Sequence, residues 1–513
     1  MVLDPASAPS DQIAQFRSDG VTASTGLRVP FFTDGFARAY GLPETRLRNM
    51  ISEATPLREE RPYAPFVGLR EIRYSRPGLA PAVRCGSGPI RGVFRAPPMF
   101  GGGLLAVSGT GVFDVGSGAS LGAIPGLDMA RFAASRDDMV IVASGIAYSF
   151  TAGAFTAGTF APITSPALPP VLDVAWLAGR FVYACVGSDT FYWSAINDPT
   201  RVDGLAFATA EASSDPIVAL GVLGDQLMIF GALSVETWTA GGDANAPFQP
   251  TPGRGYQRGC AGRDTLSFCD NALFWVGDNR VVYRTGDSPR RISSNAIEDK
   301  LRQCQAIADC TAFTATVEGH EFYVLNLPGL GSYAYDGSRV GAQAGAFGDS
   351  FGRGEWGEWA SHGRGLFRGR CAAAVEGVAW LGDDQTSDLW TLQVGRYRDG
   401  DDPLVRIASA FIKVEEGTPR CLNLVLHGVM GVGNSAEPGA RPVVELRWSD
   451  DQGRTFGDWR AASLGVQGAY RGRAVWRRLG QMRAPGRLVE VRVSDPVNAV
   501  FSHLELNAAR PGH

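Results

Sequence analysis

Lysine is almost missing from this 513-residue chain: Lys300 and Lys413 stand against 46 arginines. A phosphate-cradling G-x-x-x-x-G-K-[ST] loop needs a lysine in a glycine-rich turn, and neither lysine has that setting, so a P-loop is excluded. The five histidines, His320, His362, His427, His503 and His513, are scattered, and no C-x-x-C pair occurs. A structural zinc site therefore has no support, H-E-x-x-H is absent, and no metal or cofactor is assigned. The eight cysteines, Cys85, Cys185, Cys260, Cys269, Cys304, Cys310, Cys371 and Cys421, are expected to be buried free thiols of a protein made in a reducing cytoplasm. No uncharged apolar run reaches the roughly 18–20 residues of a membrane-spanning helix, so none is expected. The opening MVLDPASAPSDQ is acidic and without an apolar stretch, which argues against a signal peptide. The formal charge of −4 advertises neither nucleic acid nor an anionic membrane as a partner.

What the chain has in abundance is turns and short apolar runs, with Gly 65 and Pro 31. The stretch NALFWVGDNRVVYRT from Asn271 is two runs rich in aromatic and β-branched residues joined at Gly277-Asp278-Asn279, as a β-hairpin requires. Ser294 or Asn295, with Glu298 beyond, then caps a short helix. The same hairpin pattern starts at Gly103, Asp138, Arg180, Asp225, Asn271, His320 and Gly377. Recurrence every ~40–50 residues predicts an all-β chain whose main body, residues 86–400, is a β-propeller of six or seven blades, since single blades cannot bury both faces. Residues 1–85 read as an N-terminal arm with a flexible start, and RYRDGDDPLVR from Arg396 as a linker.

Residues 401–513 have another character. Segments 404–430, 442–449 and 487–494 alternate apolar and polar residues, as half-buried strands of an antiparallel β-sandwich do. Between the last two, Ser449, Asp451, Gly453, Thr455 and Phe456 fit the Asp-box pattern S-x-D-x-G-x-T-[WF], a structural hairpin turn in which the carboxylate accepts backbone N–H groups. Charge divides along the same boundary. Residues 403–513 hold 15 Arg/Lys against 10 Asp/Glu, a net of +5, leaving 33 against 42, or −9, for residues 1–402.

No catalytic set emerges, and no enzyme is expected. Gly118-Ala119-Ser120-Leu121-Gly122 matches G-x-S-x-G but lacks the strand before and helix after that a nucleophile elbow needs. His320-Glu321 reads as a structural pair at a strand start. The run from Gly253 to Gly259 reads as an inter-blade loop rather than a phosphate track. Asp383-Asp384 and Asp399-Gly400-Asp401-Asp402 lack full calcium spacing. The alternative is a carbohydrate-binding or sialidase-like propeller, for which a single Asp-box outside the repeats is thin support.

A resemblance runs through the chain in collinear pieces: Gly88–Val93, Phe191–Pro199, Phe230–Trp238, Gly259–Ala261, Phe274–Gly277, Arg291–Ser293 with Ala296–Glu298, Gly319–Leu325, Leu446–Asp451 and Trp476–Gly480. In these the chain resembles the packaged-DNA stabilisation proteins of short-tailed bacteriophages, the tail hub or nozzle family. Residues 1–60 match loosely, apart from Asn49–Glu53, and residues 341–365 are more Gly-rich than the family's segment. The resemblance implies a structural virion protein of the phage tail, made in the host cytoplasm. It would assemble with itself as a homohexameric ring below the portal and the adaptor or head-to-tail connector. Such a ring continues the DNA channel, retains packaged double-stranded DNA without reading its sequence, and lets it pass at ejection. A tail needle and fibre or spike proteins are its further partners. The charge split suits that expectation: an acidic body lines a bore without gripping phosphate, and the basic part meets a neighbouring ring.

Overall fold

The computed structural model describes residues 14–16, 23–31, 46–55, 70–150, 160–211, 213–243, 246–340 and 356–509. From Ile90 onward the chain lays down one antiparallel sheet after another, and seven of them form the blades of a propeller. The first six blades each take four strands in chain order, within residues 90–123, 131–162, 171–209, 217–256, 267–291 and 311–359. The seven hairpins legible in the sequence are the two middle strands of the seven blades. That from Asn271, for instance, pairs Ala272–Val276 with Val282–Arg284 in the fifth. Middle strands such as Met139–Ala143 and Ala272–Val276 are buried along their whole length because another blade covers each face. Burial on both sides is why they read as unbroken apolar runs rather than as alternation.

Blade seven is assembled from two distant parts of the chain. Gly369–Val375, Val378–Asp383 and Asp388–Gln393 supply its inner three strands, and Gly78–Arg84, within the stretch expected as an arm, supplies the outermost. Leu392 pairs with Leu79, and the register ends in the ion pair of Arg84 with Asp388. Gly78 is required at the start of this strand, because a Cβ there would lie 2.2 Å from the Arg398 carbonyl oxygen. The closed ring has a separate apolar core between each pair of adjacent blades, including one between seven and one that joins Cys371 and Leu389 to Ile90 and Leu104. The capped helix is present as Asn295–Gln303, with the Ser294 side chain accepting from the Ile297 N–H, and it buries Ile297 and Leu301 between blades five and six.

The remaining strands build a two-sheet sandwich from both ends of the chain. Arg406–Val414, Gly486–Val493, Val443–Ser449 and Arg460–Ser463 form one sheet; Arg420–Gly428, Val500–Ala509 and Ala474–Arg477 contribute to the other. Ala23–Pro30, Met50–Thr55 and Arg70–Ser75 join the second sheet, so that Val29, Phe31 and Met50 share a core with Leu424, Val489 and Leu504. Leu47–Arg48 pairs on one side with Arg406–Val414 and on the other with Trp356–Trp359, the outer strand of blade six. Propeller and sandwich therefore share one continuous sheet. The Phe36–Glu53 stretch, which mixes helix-compatible and turn residues, lies outside the described residues up to residue 45, and from Leu47 it is strand.

Candidate functional site

The seam between propeller and sandwich is built around buried arginines. Arg76, fully buried, follows directly on a sandwich strand, and Asp399, equally buried, lies in a tight hairpin beside Gly78–Arg84. The guanidinium donates to both Asp399 oxygens at 3.1 and 2.7 Å, to Asn49 Oδ1 at 2.9 Å and to the Pro77 carbonyl at 2.8 Å. It also lies 4.9 Å from the Phe367 ring centroid. Asn49 completes the set with φ +53, its Nδ2 donating to the carbonyls of Ala360 and Val405. Nearby, Arg406 binds the carbonyls of Val493, Val497 and Asp495 and the Ser75 hydroxyl, and burial, with Arg76 close by, pushes it down to about 9. Arg368 pairs with Asp402 at 2.7 Å and stacks on Trp390. Arg76 and Arg406, buried and bonded on several sides, hold one orientation, which stiffens the seam.

A second polar network crosses the propeller axis. Arg131 on the innermost strand of blade two pairs with Asp173 of blade three, and Asp173 also accepts the Leu220 N–H of blade four. Arg263, just before blade five, reaches across to the Leu172 and Met129 carbonyls at 2.8 and 2.9 Å, bridging to blades three and two. Side chains thus span from blade five to blades two and three across that end of the propeller.

The Asp-box residues come together at the turn between Val443–Ser449 and Arg460–Ser463. Asp451 accepts from the Thr455 N–H at 2.8 Å, from the Thr455 hydroxyl, and from the Ser449 hydroxyl at 2.6 Å, while the Gly453 N–H donates to Ser449 Oγ at 2.8 Å. These bonds, that of Ser449 first, hold the Asp451 carboxyl well below the usual carboxylate range. Gly453 has φ +85, and Phe456 packs half-buried on Phe411 and Leu488 under the Arg447 guanidinium. The turn lies in the sandwich, in no contact with the axis, and its groups are spent on the turn itself.

Other residues singled out by type have structural partners. His320 Nδ1 meets Asp336 at 2.6 Å. Asp383 binds Arg364, the Trp390 indole N–H and two backbone N–H groups. Ser120 begins the outer strand of blade one, exposed, and Gly253–Tyr256 closes the outer strand of blade four rather than looping free, because it continues that strand's ladder onto Val235. All eight cysteines are buried free thiols. Among the described residues no group of three or more His, Cys, Asp or Glu side chains is placed to hold a metal ion. A groove of about 460 Å³ between the turns of blades six and seven, lined by Val317, Val378, Leu392 and Val394, brings in one acid, Glu318. Glycoside hydrolysis ordinarily needs two facing carboxyls. Nothing in the local sequence marks the seam and axial arginines, Arg76, Arg131, Arg263 and Arg406, since each has a distant partner, Asp399, Asp173, Met129 and Val497 in turn, 42 to 323 residues away.

Comparison with known proteins gives this architecture a family. The family model described as bacteriophage P22 Gp10, beta-propeller, matches residues 74–394, and that described as bacteriophage P22 Gp10, beta-sandwich, matches residues 405–509. The tail hub protein gp10 of Salmonella phage P22 is 24% identical over 174 residues, which take in 31% of this chain and 36% of that protein. Solved structures similar to parts of the chain include the N-terminal domain of Nup159, at 10% identity and TM-score 0.37 over 64% of this chain and 96% of that one. The WD40 propeller of Doa1 is similar at 7% identity and TM-score 0.37, over 63% of this chain and 97% of that one. Scores of this size carry no functional argument. The two family models cover blades and sandwich in the order the chain lays them down, and the protein belongs to the bacteriophage P22 Gp10 family.

Proposed function

We propose that this chain is a structural component of a phage tail hub: several copies form a ring that continues the DNA channel below the portal and adaptor, retains the packaged genome and lets it pass at ejection. The observation that carries the reading is membership, through both domains, of a family to which a tail hub protein is related. Two physical features support it. The axis of the propeller is crossed by Arg263, so a passage wide enough for a duplex has to lie between copies rather than through one. The propeller and sandwich are welded by a shared sheet and by the buried Arg76–Asp399 pair, which suits a part that bears the internal pressure of a filled capsid without yielding. The −9 carried by residues 1–402 disfavours capture of a passing polyanion. A hexameric ring, an adaptor above it, and needle and fibre or spike proteins around it are the partners this reading requires.

The test is a map of the assembled tail together with a heating assay on virions that lack this protein. A ring of this chain around the channel, and loss of packaged genomes from the deficient particles at temperatures complete virions survive, are expected. Equal retention of DNA by deficient and complete particles would overturn the reading.

A further inference from the structure

In an up-and-down blade, the turn between the two middle strands and the connection to the next blade emerge at the same end of the propeller. On blades one to four these segments interlock. The Ser144 hydroxyl donates to the Pro125 carbonyl, the Val186 N–H to Pro170, the Ile217 N–H to Ser188 and the Ala232 N–H to Pro216. The resulting arc displays an exposed aliphatic side chain at four successive places: Leu127 at 75%, Ile146 at 39%, Val186 at 54% and Leu233 at 59%. The corresponding turns of blades five and seven are polar instead, Asp278-Asn279 and Asp384-Gln385. Residues 109–110, 124–130, 144–146, 163–170, 186–189, 210–216 and 232–234 contain Asp128, Asp189, Glu211 and Asp215 and no Lys or Arg. Asp128 is matched from beneath by Arg91 and Arg263, and Asp215 is buried, accepting from the Leu233 and Ser234 N–H groups, so the outward charge of the arc comes from Asp189 and Glu211. An arc of exposed aliphatic side chains with a rim of one charge sign marks an interface.

The chain carries a complement to this face in the sandwich, which is joined to the propeller at blades six and seven. Two loops, residues 429–441 and 464–473, are tied together by backbone bonds from Gly431 to Leu464 at 2.8 Å and from Gly433 to Gly465 at 3.2 Å. Asn434 Nδ2 anchors them to the Pro496 carbonyl. They form a preset projection whose tip exposes Tyr470 at 74%, with Val429 and Val466 at 50% each. Its charged residues are Arg441, Arg471 and Arg473, against the single Glu437. A rigid aromatic tip flanked by arginines is the chemistry that anchors interfaces.

We propose that the sandwich projection of one copy docks on the apolar, acidic face of blades one to four of the next. Apolar tip meets apolar arc, and arginine meets carboxylate. Because the two surfaces differ and are carried by different parts of the chain, sandwich and blades one to four, the contact is head-to-tail and propagates until the ring closes. The inference rests on the ring proposed above and names the surfaces that make it.

The experiment uses the full chain in sedimentation velocity from micromolar to about 1 mM, the weakest affinity of interest, at low and high salt. Wild type is expected to associate, less so at high salt as screening weakens the charge match. Val186→Arg and Tyr470→Glu, both exposed and folded by circular dichroism, each raise the dissociation constant at least about tenfold. Combining Asp189→Arg with Arg471→Asp restores association that either abolishes alone. Independently, a mixture of Val186→Cys and Tyr470→Cys proteins forms a disulfide-linked heterodimer on oxidation while neither does so alone, a clean readout because every native thiol is buried. Association that neither surface variant alters, or a monomeric wild type with no cross-link, overturns this pairing. A ring seen in the tail map alongside such a result leaves the ring standing on other surfaces, whereas a tail map with no ring removes the earlier reading itself.

Discussion

Replacing Asp399 by alanine tests whether the seam is held as its geometry says. Both Arg76 and Asp399 are fully buried, and the guanidinium spends two hydrogen bonds, at 2.7 and 3.1 Å, on that one carboxylate. Removing the carboxylate leaves a cation with no water and no counter-charge, among Phe367, Trp359 and backbone carbonyls, at a cost of about 3–5 kcal/mol. With an unfolding entropy of about 2.1 cal/mol/K per residue, the 513 residues unfolding as one unit convert that loss into a fall in melting temperature of about 3–5 °C. The double variant Arg76→Met/Asp399→Leu removes both charges; the Pro77 and Ala360 carbonyls and Asn49 lose a donor and the Leu79 N–H loses an acceptor, so it costs about 1–3 kcal/mol, less than Asp399→Ala alone. Calorimetry and urea titration of the wild type, both singles and the double give the coupling directly. An Asp399→Ala protein within about 1 kcal/mol of wild type, or a double variant whose loss equals the sum of the singles, would refute the argument.

Three further outcomes follow from individual sites. The thiols of Cys260 and Cys421 are pushed up to about 12 and those of Cys185 and Cys371 to about 11 by burial, so native protein at pH 8 is expected to leave a thiol reagent unreacted, with all eight groups titrating after unfolding in guanidinium; rapid labelling of any native thiol contradicts this. Since the Asp451 carboxyl is held below its unfolded value, its contribution is present above the ordinary carboxylate range and is lost as pH falls through the lower native value; amide exchange should show the Thr455 N–H still protected at pH 4 in wild type and unprotected in Asp451→Ala at every pH. Arg263→Ala removes the bridge from blade five to blades two and three, and the freed Leu172 and Met129 carbonyls cost about 2–3 kcal/mol in a urea titration, whereas Arg258→Ala, exposed nearby, stays within about 0.5 kcal/mol.

How much could be read in advance depended on how far each residue's partners lie along the chain. Hairpins are local: the turn at Gly277-Asp278-Asn279 and its flanking strands lie within fifteen residues, and seven such units at similar spacing announce a propeller before any contact is seen. The Ser294 cap and the Asp-box turn are local too, since their donors and acceptors lie three to four residues apart. The closing strand Gly78–Arg84 could not be recognised in the same way, because its partner begins at Asp388 and nothing in GLAPAVR marks it as the outer edge of a blade. The same holds for Val29, Phe31 and Met50, which read as part of an arm until the strands from Arg406 to Ala509 cover them.

The sequence by itself therefore determined the repeat, the all-β class, the second domain with its Asp-box turn, and the family to which these belong. Those features are written in spacings shorter than a blade or in collinear motifs. Tertiary structure alone decided that the count is seven, that both chain ends share the sandwich, that Arg76 meets Asp399, that Arg263 crosses the axis, and that four separated aliphatics from Leu127 to Leu233 lie on one face. Each of these joins residues tens to hundreds of positions apart, where chain connectivity imposes no spacing and only the closed packing of the ring selects the partner.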